Sequence, residues 1–259
     1  MLPKESDTLD AVVEFYDHLA PEYDLMTGFE QRFVTERPFF RLLVERYGIR
    51  RALDAGCGTG FHSLLLAQLG VEITAVDVSQ KMLETASRHA KELGLSIKTL
   101  CAPFGSLARY LNETYNAVFC LGNTLAHLAG EEQMTRALSD FHSLLEPGGI
   151  VVLQVVNFER ILASGKRVQS VRERENRIFV RFYDFDTDTI GFNVLVLERV
   201  ENKLDHRLYS VKLHAIRREE LERAFRVNGF SEPTLYGTIA LDEFVADSSP
   251  DLVALARKR

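Results

Sequence analysis

The sequence predicts an α/β fold, a mainly parallel sheet covered on both faces by helices, with an antiparallel insertion late in the chain. Three observations predict it. Residues 51–156 alternate short β-branched runs with amphipathic stretches. A glycine-rich loop, residues 53–60, falls between the first such run and the amphipathic stretch after it. Residues 167–214 then change to period two, as in IFVRFYDF and IGFNVLVLERV.

The elements follow in order. Two amphipathic segments near 9–20 and 30–47 precede the core. Strands are expected at 52–55, 71–76, 96–102, 115–121 and 150–156, with helices at 61–69, 79–93 and 131–145 between them. Ser79 is placed to cap a helix, Gly70 and Gly94 to stop helices, and Glu146-Pro147-Gly148-Gly149 to turn the chain before a buried strand. In the period-two block, turns are expected at 186–189 and 201–203. A helix over 217–228, stopped at Gly229, leads to two last strands near 234–236 and 252–258. The organisation expected is a helical cap (1–50), a core (51–166 and 215–259) and a β insertion (167–214) serving as lid or dimerisation surface.

Composition narrows the function. Of 259 residues, 46 % are apolar and 26 % charged, and 31 basic against 37 acidic residues leave a net charge of −6. These values exclude disordered and fibrous classes and argue against a protein that grips nucleic acid by bulk charge. Cys57, Cys101 and Cys120 have neither an even count nor CxxC spacing, so no structural metal is expected. The early acids, and the lack of any apolar run of about 18 residues, lead to the expectation of a cytoplasmic protein without a membrane span.

LDAGCGTG, residues 53–60, carries the most information. Gly56, Gly58 and Gly60 let the backbone turn sharply and approach a ligand closely. A phosphate-cradling P-loop would need GxxxxGK[ST], which is absent here. Asp77 ends the second strand, where a carboxylate accepts hydrogen bonds from ribose hydroxyls. Loop and acid together indicate a nucleoside cofactor. Asp54 selects among such cofactors. A pyrophosphate beside it would be repelled by about 1 kcal/mol or more, whereas an ammonium or sulfonium would be attracted.

LDAGCGTG followed by AVDVSQKMLETA resembles the class I S-adenosylmethionine (SAM)-dependent methyltransferases. The resemblance implies a Rossmann-like, doubly wound, seven-stranded sheet with its last strand antiparallel. It implies SAM as cofactor and S-adenosylhomocysteine (SAH) as product, with Asp77 on the ribose, Met82 near the adenine and the loop around the methionine half. Cys57, Val78 and Leu121, beside these motifs, join the expected cofactor set.

A narrower resemblance follows. CLGNTLAHL, residues 120–128, is similar to the matching segment of the glycine and glycine/sarcosine N-methyltransferases. This implies that Asn123 contacts the acceptor. His127 reads first as a structural histidine, and as a base if the acceptor is a phenol. FYDHLAPEYDLM resembles the segment that closes over SAM in many small-molecule methyltransferases. It makes Tyr16 and Tyr23 candidates to line the site, Tyr23 within the catalytic set as well. Arg32 falls where the glycine enzymes pair an Arg with the methionine carboxylate. The chain departs from those enzymes twice. Val156 stands where they hold the substrate carboxylate with an Arg, and Pro103 replaces their adenine-edge Asn. Phe104 keeps the aromatic ring there, and Ala102 offers backbone groups.

The function expected is methyl transfer to a small-molecule acceptor, by preference an amine nitrogen. The alternatives are a SAM- or SAH-binding regulator without turnover and an O-methyltransferase using His127. Neither a nucleic-acid nor a membrane partner is expected, and a homodimer is left open. The Arg-rich segment 166–181 reads as a solvated strand face or as a lid for an acidic substrate.

Overall fold

A computed structural model describes residues 5–186, 189–200 and 203–259. Two helices open the chain, α1 (Glu5–Thr27) and α2 (Phe29–Tyr47). The core then alternates: β1 (Arg51–Ala55), α3 (Phe61–Gln68), β2 (Glu72–Asp77), α4 (Gln80–Glu92), β3 (Lys98–Cys101), β4 (Tyr115–Cys120), α5 (Glu131–Leu144) and β5 (Leu145–Val156). After α6 (Phe158–Ser164) comes the insertion: β6 (Val168–Arg174), β7 (Arg177–Phe185), β8 (Ile190–Val200) and β9 (Lys203–Leu213). The chain returns to the core through α7 (Arg218–Val227), β10 (Thr234–Tyr236) and β11 (Asp251–Arg257).

The seven core strands are ordered β10-β11-β5-β4-β1-β2-β3, and β11 runs antiparallel to both neighbours. Strand order reverses between β1 and β4, where the loops after two adjacent strands diverge and leave a crevice for a ligand. Residues 150–153 of β5 are wholly buried, which accounts for their unbroken apolar run. The insertion forms its own antiparallel sheet, β6-β7-β8-β9. Phe179, Tyr183, Val194 and Val211 on that sheet pack into the same core as α1 and the main sheet. The expected turn residues 187–188 and 201–202 lie outside the described residues.

Three boundaries differ from expectation. The first helix runs well beyond 9–20 and passes through Pro21, ending at left-handed Gly28 (φ 74°). Its buried face outweighs the hydrogen bond a proline forfeits inside a helix. Strand β5 begins at Leu145, and the expected 146–149 turn is an irregularity within it, with Gly148 at φ 78°. Residues 158–164 form the unexpected α6, capped by the Asn157 side chain, which accepts from Arg160 N at 3.2 Å.

Candidate active site

The glycine loop leaves β1 at the reversal point. Gly56 is left-handed (φ 79°), and a Cβ there would lie 2.2 Å from Thr124 Cγ2. The Gly56 and Cys57 amides donate to Val76 O at 2.7 and 2.9 Å, which ties the loop to β2. Gly58 N donates to Asp77 Oδ2 at 2.8 Å, and Ser79 N to Asp77 Oδ1 at 2.9 Å. Asp77 is only 9 % exposed, and burial pushes its carboxyl up to about 6 against those hydrogen bonds.

Loop and acid open on a cavity of about 450 Å³. Helix α1 covers it with Val12, Tyr16 and Tyr23, and α2 supplies Arg32. Cys57, Val78, Pro103, Phe104 and Leu121 line it as expected, and Thr124, Gln133 and Arg136 join them unforeseen. The lining suits SAM: a backbone cradle that admits no Cβ at Gly56, a carboxylate for hydroxyls, apolar walls and tyrosine rings for a sulfonium.

Arg32 is partly engaged. Its Nε donates to Glu36 Oε1 at 2.7 Å, and its guanidinium stacks 4.0 Å over Phe61. Three expected cofactor residues stand behind the wall rather than in it. Asp54 is 1 % exposed and accepts from Ser63 Oγ at 2.6 Å, so it fastens the start of α3. Burial raises its pKa. Met82 is fully buried in the first turn of α4, and Ala102 is 3 % exposed, its amide given to Asp77 O at 3.1 Å.

A second cavity, about 180 Å³, adjoins the first, and Tyr16, Tyr23, Gly122 and His127 line both. Asn123 lines the second, at a left-handed backbone position (φ 72°) that Asn tolerates better than most residues. Its Oδ1 accepts from Val156 N at 3.0 Å, so the residue both shapes the end of β4 and faces the cavity. His127 Nε2 lies 2.7 Å from the Tyr16 hydroxyl, while its buried Nδ1 has no partner among the described residues. Burial pushes His127 down to about 4, and it raises Tyr16 well above the phenol range. Both groups are therefore neutral near pH 7.

Val156 also lines this cavity, together with Arg181, from the Arg-rich segment read as a strand face or a lid, and with Tyr183 and Asp251, which sequence reasoning missed. What singles out Arg181 within that segment is its strand periodicity. In IFVRFYDF, period two puts Arg181 on the same face as Phe179 and Tyr183, and both of those are buried. Among the described residues no cluster of His, Cys, Asp and Glu is arranged to hold a metal, and no helix is long and apolar enough to cross a membrane.

Comparison with known proteins places this geometry. A family model described as a methyltransferase domain matches residues 52–149. The glycine/sarcosine N-methyltransferase of Aphanothece halophytica is 28 % identical over 232 residues, 86 % of this chain and 82 % of that protein. The glycine/sarcosine N-methyltransferase of Halorhodospira halochloris is 32 % identical over 162 residues, 62 % of this chain but only 60 % of that protein. Among solved structures, the CcbJ methyltransferase from Streptomyces caelestis aligns with a TM-score of 0.74 at 26 % identity, covering 86 % of this chain and 89 % of that one. A SAM-dependent methyltransferase from Clostridium acetobutylicum aligns with a TM-score of 0.78 over 93 % of this chain and 98 % of that one; at 15 % identity this is a likeness of fold. With that domain on that sheet, and the glycine loop and Asp77 at its reversal point, the chain carries a SAM-dependent methyltransferase domain and is similar to the glycine/sarcosine N-methyltransferases.

Proposed function

We propose that the protein methylates an amine nitrogen of a small molecule held in the second cavity. The observation that carries this reading is the shared wall: Tyr16, Tyr23, Gly122 and His127 face both cavities, so donor and acceptor would meet across it. SAM, when bound, supplies a methyl group on a sulfonium, already activated for in-line displacement. Holding donor and acceptor in line, with water kept out by α1, supplies roughly 7 to 11 kcal/mol of the barrier reduction. The residues assigned to the donor are Arg32, the Gly56–Gly58 backbone and Asp77. Asn123 Nδ2, which makes no hydrogen bond among the described residues, is left to orient the acceptor.

His127 bears on the attacking atom. With a pKa near 4 it is a weak acceptor for a phenol proton, whereas an amine that arrives deprotonated needs no base. This favours nitrogen over oxygen. The relatives named as glycine/sarcosine N-methyltransferases support the same choice. Glycine itself is expected to be a poor acceptor, because Val156 presents methyl groups where those enzymes grip a carboxylate.

SAH release from the SAM-loaded protein tests the reading, with glycine, sarcosine, larger amines and phenols offered to wild type and Val156→Arg. Amines should be consumed ahead of phenols. Turnover of phenols alone would transfer the reading to oxygen, and SAM binding without turnover of any acceptor would make the protein a sensor.

A further inference from the structure

We propose that Arg181, on the insertion strand β7, is the anion anchor of the second cavity and that the acceptor therefore carries a carboxylate. The inference rests on the preceding reading only in taking this cavity as the acceptor site. Arg181 lines the cavity, and its Nε donates to Ser170 Oγ at 2.8 Å. Among the described residues it forms no ion pair and its Nη groups have no acceptor. Burial drives it below the usual guanidinium value, and Arg172 acts in the same direction. A guanidinium in that position keeps a fork of N–H donors directed at whatever fills the space.

Three other cations lie near but do not line this cavity. Arg172 Nη1 donates to the carbonyls of Met26 and Thr27 at 3.3 and 3.4 Å, capping the end of α1. Arg32, in the lining of the first cavity, donates to Glu36. Arg160 acts on Asp251 and Tyr183 from outside the lining. Among the described residues Arg181 is the one arginine or lysine that lines the cavity itself.

The anion is a carboxylate rather than a phosphate because of the opposite wall. Asp251 lines the same cavity, and one of its oxygens accepts from Gln154 Nε2 at 3.0 Å. Asp251 and Arg181 form no ion pair with each other. A dianion between them would face one guanidinium and one carboxylate, whereas a monoanion fits the fork bidentately and leaves Asp251 free to accept a hydrogen bond from the neutral amine of an amino acid. Phe15, Phe192 and Tyr183 form the apolar side, with ring centroids 6.1 Å apart for Phe15–Phe192 and 5.8 Å for Tyr183–Phe192. They suit a ring or branched body on the acceptor.

The test uses phenylacetate, a carboxylate with a ring and no amine, titrated calorimetrically into the SAH-saturated full-length protein. Wild type should bind it. Arg181→Gln should bind it roughly 10- to 150-fold more weakly, and Arg181→Lys should fall between, since charge remains and the fork is lost. SAH affinity and Tm should be unchanged in Arg181→Lys, which keeps the readout valid if Arg181→Gln folds poorly. No binding by wild type, equal binding by all three proteins, or tighter binding of inorganic phosphate would each overturn the anchor. SAH release with L-phenylalanine and with 2-phenylethylamine separates this failure from that of the amine reading. Turnover of 2-phenylethylamine that ignores Arg181, without phenylacetate binding, would overturn the anchor and keep the amine. Arg181-dependent binding of phenylacetate with neither amine consumed would keep the anchor and overturn the amine.

Discussion

At the scale of single residues, Gly56 and Asp77 both line the first cavity, and each predicts a distinct signature. An alanine at Gly56 meets two obstacles, a left-handed backbone and Thr124 2.2 Å from the new methyl. Gly48, at φ 59° with nothing within 4 Å, meets only the first. Gly48→Ala should cost about 1 to 2 kcal/mol in urea unfolding. Gly56→Ala should cost more and should also weaken SAH binding, which Gly48→Ala should leave intact. Asp77 adds a pH dependence. With its carboxyl pushed up to about 6, it is charged above that pH and holds a proton below it. Hydroxyl donors need the charged form, so SAH affinity should fall roughly fivefold from pH 6 to pH 5, and Asp77→Asn should flatten that slope. The same shift has the opposite sign for the free fold. Unfolded Asp titrates near pH 3.9, so Asp77 favours folding on the acid side, and that contribution is lost as pH rises through about 6.

At the scale of elements, α1 is the helix that covers the first cavity. It is fastened to the core by Ser79 Oγ donating to Asp17 at 2.5 Å, by Thr59 Oγ1 donating to Asp24 at 2.6 Å, and by His89 Nε2 at 3.2 Å from Asp24. It is fastened to the insertion by buried Glu22, which accepts from Arg207 Nη2 at 2.5 Å while Glu198 holds Arg207 at 2.9 Å. Asp24 raises the His89 pKa through its hydrogen bond. A raised histidine stabilises fully below its unfolded pKa, about 6.5, and the contribution disappears as pH rises through the folded value. Proteolysis within α1 should therefore accelerate as pH rises above about 6.5, and Asp24→Asn should remove that acceleration. Glu22→Gln should weaken the hold on the insertion by about 1 to 3 kcal/mol, with Glu198 still supporting Arg207. A double-mutant cycle with Arg207→Gln would measure the coupling.

At the scale of the whole molecule, cofactor and fold are thermodynamically linked. SAH at a hundred times its Kd should add about 2.7 kcal/mol of stability, a rise in Tm of several degrees that NAD should not reproduce. The parallel core was legible because buried strands and amphipathic helices leave different periods, and the glycine loop was legible because its spacing is set by backbone geometry. Long-range outcomes were not. Pro21 reads locally as a helix breaker, and only the packing of Phe15, Leu19 and Met26 on the core carries α1 through it. Asp54 reads as a ligand group by its position after β1, yet Ser63, nine residues on, claims it. Arg181 reads as one of several cations on a strand face or lid, and only the packed second sheet singles it out by bringing it into the cavity lining.

Beyond the wall they share, the two cavities draw on different stretches of chain. The turns after β1 and β2 line only the first, whereas Arg181, Tyr183 and Phe192 reach only the second, from one contiguous insertion. Such a division separates two inheritances. Exchange or drift within residues 168–213 would rewrite which molecule is recognised while leaving the methyl source untouched, so a descendant of this chain could acquire a new client by replacing a single cassette.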